Sequence, residues 1–203
     1  VLRLMADDGQ LQSSDEVTIT VNPEPGSGFV EVRVATDEDD AEERASGRIS
    51  RNSSDLELIN DGGDQIVAMR FNGVAVPQGA TITNAYLQFQ TDETSSGTTS
   101  LFVQAEASDD SPPIGTNDGN ISERNRTANF VQWDPPAWTQ VGAAGAEQQT
   151  PNLAIVIQEI VVRGGWGPGN SVLIIVTGSG SRVAESYDGS SAGAPLLHIE
   201  YQE

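Results

Sequence analysis

Thirty of the 203 side chains are carboxylates, and six of them fall within seven residues: Asp37, Glu38, Asp39, Asp40, Glu42 and Glu43. Carboxylates at that density repel one another. A fold tolerates them either in a solvated loop or around a hard cation, which takes six to eight oxygen ligands, and the residues alone leave both readings open. Two further groups share this chemistry: Asp61 and Asp64 in "NDGGD", and Glu185 and Asp188 in "AESYDGSSAGAPLLHIEY". None has the spacing of an EF-hand loop. The candidate metal ligands are Asp39, Asp40, Glu42, Glu43, Glu185 and Asp188. The ion they would take is calcium, tying the first strands of a sandwich to its last.

Aromatic rings are scarce: three Trp, three Tyr and five Phe. Trp133 and Trp138 bracket a double proline in "WDPPAW", and Trp166 sits in "RGGWGPGN". Rigid rings stack on the apolar faces of sugars at low rotamer cost, while Asp, Asn, Gln and Arg orient the hydroxyls. The candidate carbohydrate-binding residues are therefore Trp133, Trp138, Trp166, Tyr187 and Arg182. For Trp133 and Trp138 the competing reading is core packing against a helix; for Arg182 and Arg163 it is pairing with acids. The glycines around Trp166 predict an exposed ring.

Catalysis finds little support. His198 is the one histidine, there is no cysteine, and no Gly-x-Ser-x-Gly stretch occurs, so Ser-His, Cys-His and catalytic zinc chemistry lack their parts. With no lysine there is neither a P-loop nor a Lys-Asn cross-link. Thirty acids offer many pairs for glycoside hydrolysis, yet nothing in the sequence singles one out. The expectation is a protein that is not an enzyme.

Formal net charge is −20, and all ten bases are arginine. Such a surface repels phosphate backbones and anionic lipid, which argues against nucleic-acid and membrane-surface roles. No apolar run approaches the length of a membrane span, so no membrane insertion is expected. The same charge suits a salty, screened setting and gathers divalent cations, so the expected partner is a polysaccharide, of algal or acidic kind, together with neighbouring domains of the same polypeptide.

The elements that must position these residues read as strands. Apolar and polar residues alternate, or β-formers cluster, at 29–35, 65–71, 80–90, 98–107, 171–177 and 195–201, separated by Gly, Pro, Asn and Asp turns. That pattern predicts an all-β fold, an antiparallel jelly-roll-like sandwich. One α-helix interrupts it at about 150–163, with Thr150 as N-cap, Pro151 at the first position, Gly164 at the stop, and Leu153, Ile157, Ile160 and Val161 on one face.

Two stretches resemble known families. "VLRLMADDGQLQSSDEVTITV" is similar to the final hairpin of PKD-like or cadherin-like immunoglobulin-type modules, with its turn at Asp8-Gly9. "RFNGVAVPQGATITNAYLQFQTDE", Arg70 to Glu93, resembles the recurring core of DNRLRE-type modules, extracellular β-sandwiches associated with polysaccharide-acting enzymes. Met69-Arg70-Phe71, Val76-Pro77-Gln78-Gly79-Ala80-Thr81-Ile82-Thr83 and Leu87 carry that likeness; the eponymous motif itself is absent. The resemblances imply a spacer remnant at 1–21, a linker at 22–28 and a sandwich module at 29–203, in an extracellular or cell-surface bacterial protein. Val1 stands inside the first strand, so the chain is expected to continue a longer polypeptide. The expected function is non-catalytic carbohydrate binding, with a structural or adhesive module of a stalk or filament as the alternative and a lyase or hydrolase third.

Overall fold

A computed structural model describes residues 26–203 and the backbone of 2–7 and 12–17. β1 (Leu2–Asp7) and β2 (Gln12–Val17) pair antiparallel. The expected Asp8-Gly9 turn, residues 18–21 and linker positions 22–25 lie outside the described residues.

The strands that follow are β3 (Ser27–Arg33), β4 (Asp40–Arg44), β5 (Ile49–Ser50), β6 (Asp55–Glu57), β7 (Gln65–Val74), β8 (Thr81–Gln88), β9 (Thr91–Glu93), β10 (Ser100–Ala105) and β11 (Val131–Trp133). After the helix α1 (Ala154–Val161) come β12 (Asn170–Ser179), β13 (Val183–Glu185) and β14 (Leu196–Gln202). The six strands predicted from the sequence are all present, displaced at their ends by a few residues.

These strands build an all-β antiparallel sandwich. A six-stranded sheet, β11-β10-β12-β7-β4-β5, faces two three-stranded sheets, β3-β14-β8 and β6-β13-β9. Alternation fills the space between them: Val67, Met69 and Phe71 of β7 and Val172, Ile174 and Val176 of β12 share one core with Ala85, Leu87, Leu197, Ile199, Leu56 and Ala184. The run Val172–Val176 does not alternate, because β12 is covered on both faces. Outside the six-stranded sheet, Ile114 and Ile121 from the long segment between β10 and β11 cover Ala41, Ala68, Leu173 and Ile175.

The helix is shorter than the predicted 150–163, and Thr150 does not cap it. The Thr150 hydroxyl instead accepts the Leu87 N–H at 3.0 Å, and Asn152 Oδ1 accepts Ala85 N–H at 3.1 Å and Ala154 N–H at 2.8 Å. Gln158 continues the pattern, accepting Ile82 N–H and donating to the Ala80 carbonyl, both at 2.9 Å. Residues 150–158 thus satisfy the open edge of β8. Leu153, Ile157, Ile160 and Val161 are buried, as their spacing predicts.

Candidate functional site

The expected sugar platform is not formed. Trp133, Trp138 and Trp166 are 4%, 0% and 3% exposed. Trp133 stacks on Phe89 with ring centroids 5.6 Å apart, and Trp138 tilts against both at 6.3 Å, so these three rings fill one end of the core. The Trp138 indole donates to the Glu147 carbonyl at 3.0 Å. Trp166, predicted to be exposed, donates to the Val76 carbonyl at 3.0 Å. Its glycine-rich segment folds back onto β7, where Gly169 N–H meets the Val74 carbonyl at 2.9 Å. At Gly165 a Cβ would lie 2.1 Å from an Asp109 carboxylate oxygen, so a side chain there would displace the Asp109 carboxylate.

Arg182 is also internal, 2% exposed. Its guanidinium donates to the Pro136 carbonyl at 2.7 Å, the Pro135 carbonyl at 2.8 Å and Thr99 Oγ1 at 2.8 Å, fixing the "WDPPAW" segment. Burial lowers its pKa. Tyr187 is half-buried and packs against the core. Arg163 pairs with Asp109 at 2.5 Å. None of the three tryptophans offers a free aromatic face to a ligand.

β4 divides the acidic run: Asp37, Glu38 and Asp39 lie in the turn ahead of it, and Asp40, Glu42 and Glu43 lie on the strand. A two-residue period sends Asp40 and Glu42 to one face and Glu43 to the other. Asp39, just ahead, pairs with Arg70 at 2.9 Å and accepts from Thr36 at 2.9 Å and Asn72 at 2.5 Å. Glu43 accepts the Ile121 and Ser122 N–H groups at 2.7 and 2.8 Å, anchoring the covering segment. Asp40 accepts the Tyr187 N–H at 2.8 Å. Burial pushes Asp40 up to about 7; the Tyr187 N–H opposes this, and the charges of Asp188 and Asp39 add to it. The Tyr187 N–H bond to Asp40 joins an early strand to the last turn, next to Asp188 in sequence.

Glu42 accepts the Glu57 N–H at 2.9 Å and the Gln65 amide at 2.8 Å. Burial first, then its side-chain hydrogen bond with Glu57, pushes Glu42 up to about 9. The six predicted metal residues do not assemble as one ligand set: among the described residues the acids whose oxygens converge are Asp55, Asp92 and Glu93, while Asp39 and Glu43 are already hydrogen-bonded and Glu185 lies on β13.

Glu185 pairs in register with Asp55. Burial raises its pKa, and the neighbouring Asp92 and Asp55 carboxylates raise it further. One oxygen each from Asp55, Asp92 and Glu93 lies within 4.8 Å of the others. By donor chemistry, this corner of β6, β9 and β13 holds the residues that could take a calcium ion.

Sequence reasoning missed another surface. On the outer face of β3-β14-β8, His198 lies opposite Glu31 on one side and Tyr86 on the other. The Tyr86 ring stacks on His198 at 4.7 Å, and Phe29 follows at 6.0 Å, making a three-strand row of rings. His198 Nδ1 lies 3.0 Å from Glu31 Oε1 and its Nε2 3.2 Å from Glu200 Oε1. Asn84 donates to Glu200 at 3.2 Å, and this bond, with that of His198, lowers the Glu200 pKa. A groove of about 480 Å3 opens beside the row, lined by Phe29, Thr83, His198, Glu200, Tyr201 and Gln202 among others. Phe29, 68% exposed, is the most exposed large apolar side chain among the described residues. The signal that could have found this face is the polar phase of two strands: Phe29 and Glu31 on β3 share it with His198 and Glu200 on β14. The chain matches no protein-family model and no curated protein.

Proposed function

We propose that residues 26–203 act as a non-catalytic polysaccharide-binding module of a secreted or cell-surface bacterial protein. The observation that carries this reading is the groove beside Phe29. There an uncovered ring meets the Glu200 carboxylate, an imidazole, a tyrosine, a threonine and a glutamine, the combination that holds a sugar by its apolar face and orients its hydroxyls. The DNRLRE-type likeness supports the extracellular setting. Calcium at Asp55, Asp92 and Glu93 belongs to the same reading as a structural ion rather than a reagent.

A second reading, a structural module holding neighbouring domains, is favoured by the burial of all three tryptophans and Arg182. The two separate on one experiment. The chain and its Phe29→Ala variant are run by affinity electrophoresis through gels containing a broad panel of polysaccharides. Wild type is expected to be retarded by at least one, with about tenfold weaker affinity in the variant. Loss of a 68% exposed side chain leaves stability within about 0.5 kcal/mol, so the variant remains folded. No retardation across the panel refutes sugar binding and leaves the structural reading.

A further inference from the structure

The chain carries three acids for every base, yet one pocket reverses that balance. Between the β4–β5 hairpin and the covering segment lies a pocket of about 320 Å3, lined by Arg44, Arg48, Ile49, Ser50, Arg51, Asn52 and Thr116. Its lining holds three of the ten arginines and no carboxylate. The hairpin sets the guanidinium groups: Arg44 and Arg48 are bridged by a backbone bond at 3.0 Å, and Gly47 turns the chain with φ of 89°. The Gly47 carbonyl accepts Gly119 N–H at 2.8 Å, and Arg51 donates to the Ile114 carbonyl at 3.0 Å, so the covering segment forms the far wall.

These arginines are only partly neutralised. Arg44 meets Asp61 at 3.4 Å and Arg51 meets Glu38 at 3.5 Å, both through exposed carboxylates. Arg48 makes no salt bridge among the described residues. Elsewhere arginines are held by acids or buried carbonyls, as at Arg70, Arg124, Arg163 and Arg182.

We propose that this pocket binds a single sugar unit bearing a carboxylate or sulfate, the arginine forks gripping the anion and Ser50, Asn52 and Thr116 the hydroxyls. Planar guanidinium groups match both anions with paired hydrogen bonds. The volume suits one sugar ring, and the surrounding net charge of −20 disfavours a continuous polyanion such as nucleic acid. The inference takes from the reading above only that the ligand is a saccharide; its site and its variant are different.

The test is isothermal titration of the full chain at low salt with methyl glucuronoside, glucose 6-sulfate, methyl glucoside, inorganic phosphate and a short oligonucleotide. Saturable binding of the two sugar anions is expected. It should weaken about tenfold in Arg48→Ala and with rising salt, persist in Phe29→Ala, and be absent for the neutral glucoside. Arg48 is exposed and hydrogen-bonds through its backbone, so its variant keeps the wild-type melting temperature. Arg48→Lys retains charge without the fork and should restore only part of the affinity. Absence of binding at millimolar ligand overturns the proposal. So does binding of phosphate or the oligonucleotide as tight as that of the sugar anions, or unchanged affinity in Arg48→Ala. Anion binding lost in Phe29→Ala but kept in Arg48→Ala overturns it while sustaining the Phe29 face.

Discussion

Glu42 keeps a proton that an unfolded chain releases near pH 4.5, and its folded pKa stands at about 9. Between those values the native state holds one more proton than the unfolded state, so raising the pH favours unfolding. Stability from this group is complete below pH 4.5 and is lost as pH rises towards about 9. One proton of difference sets a ceiling of about 1.4 kcal/mol per pH unit. For a domain of this size that is about 3–5 °C in Tm per unit. Asp40, raised from 3.8 to about 7, steepens the slope in the same direction below neutrality. Glu42→Gln isolates the first contribution. The amide carbonyl still accepts from the Glu57 N–H and from Gln65, and the amide N–H replaces the acid proton facing the Glu57 side chain. The variant should match wild type within about 1 kcal/mol at pH 6 and then hold its Tm as wild type falls. Calorimetric melts from pH 6 to 8.5, read as the difference between the two proteins, cancel every other titrating group. Parallel curves, or a wild type that gains stability with pH, would refute the protonated Glu42–Glu57 pair.

Other outcomes follow from the same contacts. Arg182→Ala leaves the Pro135 and Pro136 carbonyls and Thr99 without their donor, and is expected to cost about 3 kcal/mol or more. At this size that is a Tm drop of about 6–12 °C, and an unchanged melt would contradict a structural role for this guanidinium. For calcium, chelator should lower Tm and millimolar calcium restore it, with both effects abolished in Asp92→Asn; identical melts in all conditions remove the ion from Asp55, Asp92 and Glu93.

The long strands were legible because each repeats a pattern that burial enforces locally. β8 and β14 alternate, and β12 is a continuous apolar run covered on both sides. The short strands were not. "DAEER" reads as a solvated loop or a cation site, not a strand, because its partners are remote: Asp40 is answered by Tyr187, Glu43 by Ile121, and Glu42 by Glu57 and Gln65. Thr150 misled for the same reason, since its hydroxyl serves β8 and not the helix. Composition around Trp166 indicated exposure, but glycines permit close packing as readily as a projecting loop. The Phe29, Tyr86 and His198 row needs the register of three strands, which no single stretch encodes.

Ser27 pairs with Gln202, so the sandwich admits and releases the polypeptide at neighbouring points on the same two strands. A pull on both ends acts across β3 and β14, not along them. It loads their hydrogen bonds one pair at a time, peeling the strands like a zipper, whereas opposed ends would shear all seven pairs at once. In a tethered array this domain would be an early element to open under force.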